Sequence, residues 1–139
     1  MKTCFLLFWS CVFFLTGCES YHNKQYIVKN ANPDDKEAIS VILANAARAG
    51  ALEEVATELC MPDTLAFYEG KPWFKLWLGA RMHNENVVID LFGWGHGWKP
   101  PPYKSAETML FQELPKAFGE RLIIDPQPKV PFPVKKEQE

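Results

Sequence analysis

"WFKLWLGARMHNENVVIDLFGW", residues 73–94, decides the fold. Side chains on a strand alternate between faces, and two runs here keep that period on either side of a short polar connection. In the first run Phe74, Leu76, Leu78, Ala80 and Met82 share one face, and Trp73, Lys75, Trp77, Gly79 and Arg81 share the other. In the second, Val87, Ile89 and Leu91 fall opposite Val88, Asp90 and Phe92. An Asn-rich "HNEN" between alternating runs signals a hairpin. Each arm then has an aliphatic face for a core and a second face where rings stand among charges.

The period continues into "FGWGHGWK", residues 92–99, where glycine alternates with large rings. Continued alternation puts Trp94, His96 and Trp98 on the face of Asp90 and Phe92. A bulge at Gly93 or Gly95 would shift every ring beyond it. Upstream, "TLAFYE" lies between Pro62 and the turn Gly70-Lys71-Pro72 and reads as another strand. Downstream, "RLIID" after Gly119 reads as a fourth.

Helices frame these strands. Asn32 is a natural N-cap, with Pro33 at the first helical position and Asp34, Asp35 and Glu37 in the first turn, where the helix dipole favours acids. Ile39, Ile42, Leu43 and Ala46 follow at helical spacing, and Gly50 fits the end. "ALEEVATEL" predicts a second short helix ended by Pro62. Ser105 predicts the cap of a helix through Met109, Leu110 and Leu114, with Pro115 kinking or ending it. The expected order is α-β-β-β-α-β: a small two-layer α+β domain, with an antiparallel sheet of about four strands and helices on one face.

The ends carry different information. "MKTCFLLFWSCVFFLTGCES" opens with Lys2 and an apolar run from Phe5 to Leu15, the length of a signal-peptide core and short of the roughly 20 residues a spanning helix needs. It closes in Leu15-Thr16-Gly17-Cys18. This motif resembles the lipobox of bacterial lipoprotein precursors. The resemblance covers residues 1–18 and implies cleavage before Cys18, diacylglycerol on its thiol and an N-acyl group on the new terminus. Each buried CH₂ contributes about 0.8 kcal/mol, so several acyl chains anchor a domain stably. The resemblance further implies a cell-envelope location. Glu19, where aspartate would favour inner-membrane retention, points to the outer membrane, facing the periplasm.

Organisation follows: residues 1–17 a signal peptide, 18–31 a tether, 32–125 a single domain, and 126–139 a Pro-rich, charged tail, either free or laid over the domain. With Cys4 and Cys11 lost and Cys18 acylated, Cys60 is the remaining thiol, expected as a small buried hydrophobe after a helix, or paired between chains. The chain carries 15 basic and 17 acidic residues, and losing Lys2 makes the balance more acidic. That excludes nucleic acid as a partner, because phosphate backbones call for a basic patch.

Chemistry is sparse. His22 falls in the tether, His83 in the hairpin turn, and no histidine pair has the spacing of a metal site, so neither a metal nor another cofactor beyond the lipid is expected. The serines fit no nucleophile pattern and no phosphate loop exists, so no catalytic residue is assigned. His96, between glycines, reads as a general base or as a plain loop imidazole. The expected binding residues are Trp73, Trp77, Arg81, Asp90, Trp94 and His96, because tryptophan and arginine are favoured interface anchors and apolar surface patches mark interaction sites. Three roles are open: binding an envelope protein as an accessory, inhibitor or immunity-type partner; a small hydrolase or a sugar- or peptidoglycan-binding protein using His96, Trp94 and Asp90; and a structural lipoprotein without a specific ligand.

Overall fold

The hairpin read from residues 73–94 is the middle of a larger sheet. The structure, a computed structural model, describes residues 19–71, 75–96 and 99–131. The elements are β1 (Glu19–Val28), α1 (Pro33–Ala49), β2 (Glu53–Glu54), a 3₁₀ turn (Thr57–Leu59), β3 (Thr64–Glu69), β4 (Leu76–His83), β5 (Asn86–His96), α2 (Pro101–Phe118), a second 3₁₀ turn (Gly119–Arg121) and β6 (Leu122–Ile124). All six strands form one antiparallel sheet in the order β2-β3-β4-β5-β1-β6. The α+β class stands, with six strands in place of about four.

Two departures account for the difference. Residues 18–31 were expected as a tether, yet Glu19–Val28 is a ten-residue strand paired along its length with β5 and, at Tyr26–Val28, with β6. "ALEEVATEL", expected as a helix, forms the two-residue β2 and a 3₁₀ turn that leaves Leu59 78% exposed. Leu59 thus has no core to face, and Leu52, Val55 and Leu59, though at helical spacing, do not organise a helix. Leu52 alone of the three is buried.

The aliphatic alternation meets the helices as expected. Leu76, Leu78 and Ala80 of β4, Val87, Ile89 and Leu91 of β5, and Tyr26 and Val28 of β1 share one core with Ile39, Leu43 and Ala46 of α1 and Tyr103, Leu110 and Leu114 of α2. Burying a side chain of this size contributes about 1.5–3 kcal/mol, so this face dominates stability. Asn32 caps α1 in a reciprocal capping box with Asp35. Asp35 also accepts two bonds from Arg121, at 2.7 and 2.9 Å, tying the start of α1 to the turn after α2.

Helix α2 starts earlier than Ser105 suggested. Its first residue is Pro101, whose fixed φ and missing N–H suit that place. Ser105 instead donates back to the Pro101 carbonyl at 3.1 Å. The helix also runs through Pro115 to Phe118. Proline there forfeits one backbone bond to Phe111, which lies on the wet side of the helix with 57% exposure, where water is at hand. In the hairpin turn Asn84 takes φ 55°, a left-handed conformation that asparagine tolerates.

Cys60 is free and half-buried rather than fully enclosed, with its Sγ 3.7 Å from the Ala56 carbonyl.

Candidate functional site

The face turned away from the helices is built by β1, β5 and β4, and their register orders its side chains into rows. Gln25 of β1 stands opposite Asp90 of β5, which stands opposite Gly79 of β4, with Arg81 two residues along. One step towards the start of β1, Asn23, Phe92 and Trp77 form the next row, and Tyr21 pairs with Trp94 beyond it. The β1–β5 register is unbroken from Glu19↔His96 to Val28↔Val87, so no bulge interrupts Gly93 or Gly95, and Phe92 and Trp94 keep the side that their spacing assigns.

Gly93 has a packing reason to be glycine. It lies on the helix face, and a β-carbon there would sit 2.5 Å from Cδ2 of Tyr103. The glycine lets a buried tyrosine of α2 close on the strand, while the rings on either side point away from it.

The ring row is a connected cluster. Trp77 and Phe92 stack with centroids 4.8 Å apart and planes at 21°, and Tyr21 lies 5.8 Å from Phe92 with 66% of its surface exposed. Lys75 Nζ sits 5.1 Å from the centre of the Trp94 ring, within cation–π range. Trp77 and Trp94, both expected in the site, therefore fall in one patch, with Lys75 on its rim. Trp73 and Cys18 lie outside the described residues, and His96 is placed by its backbone, paired with Glu19.

Arg81 and Asp90 fall in the row beside the ring cluster, under cover. Asp90 is 6% exposed; its Oδ1 accepts from Gln25 Nε2 at 2.6 Å and its Oδ2 lies 3.6 Å from Arg81 Nε. Burial pushes its carboxyl up, and the Gln25 hydrogen bond and the Arg81 and Lys129 charges offset this only in part. The cover is the chain's own end. After β6 the chain crosses the outer face, where Gln25 Nε2 donates to the Val130 carbonyl at 3.0 Å and Val130 N–H donates to Gln25 Oε1 at 2.9 Å. Arg81 Nη2 donates to the Pro131 carbonyl at 2.6 Å, and Lys129 Nζ to the Asn23 carbonyl at 3.3 Å. Arg81 and Asp90 thus lie beneath this strap and are not free rim charges. The carboxylate of Asp90, engaged by Gln25 and Arg81, is not a free base.

Sequence reasoning missed Gln25, Tyr21 and the buried tyrosines of the helix side. The first two sat in a segment too polar to show a strand period. Tyr26 and Tyr103 are fully enclosed; burial first, and the Glu107 carboxylate second, push both phenols up, so they stay neutral. Lys99 spans Tyr103 and Glu107, 5.5 Å from the ring centre and 3.0 Å from Oε1. The Tyr26 hydroxyl meets no hydrogen-bond partner among the described residues.

Fold and site together define a small α+β domain whose antiparallel sheet is backed by two helices on one side and crossed by a C-terminal strap on the other. No protein-family model matches the sequence, and no curated protein is similar to it. A solved structure, the adenosylmethionine decarboxylase from Aquifex aeolicus VF5, is similar with a TM-score of 0.39 and 12% identity, over 86% of this chain and 96% of that one. A likeness that distant bears on neither activity nor substrate.

Proposed function

We propose that this protein is a lipid-anchored component of the bacterial envelope, held by acylated Cys18, whose outer sheet face binds a protein partner. The observation that carries the binding role is Tyr21, 66% exposed against a Phe92–Trp77 stack on the side away from the core. Apolar rings of this size left in water favour an interface, where aromatic anchors supply much of the affinity. Lys75, exposed at the rim beside Trp94, suits a partner that brings an acidic group next to its apolar anchor. A membrane anchor concentrates such a binder near envelope targets, so modest affinity suffices.

Two measurements test this reading. Labelled palmitate should enter the wild type and not Cys18→Ser; incorporation into both, or into neither, removes the anchor. An envelope pull-down should recover a partner with the wild type that a folded Tyr21→Ala/Trp77→Ala variant loses. Identical recovery by the two proteins removes the ring patch as the docking surface.

A further inference from the structure

The strap is held in a way that its role as a simple cover does not require. Gln25 is 1% exposed, and its side-chain amide engages both the N–H and the C=O of a single strap residue, Val130. Arg81 takes the next carbonyl, that of Pro131. All three bonds read strap backbone and none reads a strap side chain. Lys129 adds a bond to the Asn23 carbonyl and an ion pair with Asp125 at 2.6 Å. The reading groups are themselves fixed: Gln25 donates its second amide hydrogen to Asp90, and Asp90 pairs with Arg81. A row of polar side chains, braced from behind and fitted to the N–H and carbonyls of an extended chain, is the apparatus of main-chain peptide recognition.

We infer that the Gln25–Asp90–Arg81 row is a binding site for an extended, proline-containing peptide, occupied in cis by residues 129–131 of this chain, so that an outside segment of the same chemistry competes with the strap. The ligand must offer one free N–H between carbonyls, with a basic residue before it and a proline after it, as Lys129-Val130-Pro131 does. The site stands whether or not the ring cluster binds a protein. The tethered strap sets the threshold that a competitor must exceed.

The test uses the full chain. A fluorescein-labelled peptide of residues 125–131, DPQPKVP, is titrated into wild type and into Lys129→Glu/Val130→Pro, in which the strap loses its ammonium and its N–H. Anisotropy should show the variant binding at least tenfold tighter than the wild type, and adding Gln25→Leu to the variant should abolish that binding. A second measurement needs no substitution: excess unlabelled peptide should speed hydrogen exchange at the Val130 amide of the wild type at least fivefold, while a reversed-sequence peptide should not. Either expected result supports the site. A folded variant that ignores the peptide, binding that survives Gln25→Leu, or unchanged exchange at Val130 overturns it.

Discussion

The ring of Tyr103 occupies the space a β-carbon on Gly93 would need, with Cδ2 2.5 Å from that position. Both residues are buried, so neither has room to move aside. Gly93→Ala should therefore cost about 1–3 kcal/mol by overpacking. The cost should shrink in a Tyr103→Leu background, giving a coupling of at least about 0.5 kcal/mol in a double-mutant cycle read by urea unfolding. Strict additivity would mean that the contact is not the cause.

Asp35 should make stability depend on acid. The hydrogen bonds from Arg121, and then from the Asn32 backbone, hold its carboxyl down at about 2. A lowered folded value means the contribution is complete above the ordinary carboxylate value of 3.8 and lost as pH falls through about 2. Asp35→Ala should cost about 1–2 kcal/mol at pH 7, tempered by the partial exposure of Arg121. The gap to wild type should narrow between pH 4 and pH 2, and a gap that is flat with pH would disprove the linkage.

Asp90 should act in the opposite sense. Its carboxyl is raised, chiefly by burial, so its contribution is complete below the ordinary value of 3.8 and declines as pH rises into the raised range. Asparagine keeps the acceptor that Gln25 uses. Chemical-denaturation midpoints measured from pH 4 to pH 8 should show wild type losing ground to Asp90→Asn as pH rises, whereas parallel curves would contradict this assignment.

Two leucines should respond differently to the same change. Leu110→Ala empties a fully buried position of α2 and should cost about 2–5 kcal/mol. Leu59→Ala, on the exposed 3₁₀ turn, should stay within about 0.5 kcal/mol of wild type in the same thermal or urea assay.

These contrasts indicate what the sequence made legible. The β4–β5 hairpin and α1 were readable because apolar residues recur on the face that meets the core, leaving a period in the residues, and β3 and β6 because short apolar runs stand between turn residues. β1 left no such trace. Its outward residues are Tyr21, Asn23 and Gln25, polar because Gln25 answers Asp90 on one side and the strap on the other, and that requirement is set by residues 65 and 105 positions away. Arg81 and Asp90 looked like surface charges for the same reason, since their cover comes from the far end of the chain. Glu53 and Glu54 invited a helix because glutamate favours one, whereas pairing with Glu69 and Tyr68 decided their conformation. The glycines of residues 93–97 announced a special backbone, yet only the position of Tyr103 says why Gly93 is needed.

One consequence concerns reach. β1 is already paired at Glu19, the residue that follows Cys18. Three residues of fully extended chain reach at most about 11 Å, which bounds the distance from Tyr21 to any group carried at position 18. An acyl group at that cysteine would act as a short post rather than a leash. The ring cluster would then stand close to the height of the lipid headgroups, and its partner would have to approach along the membrane plane.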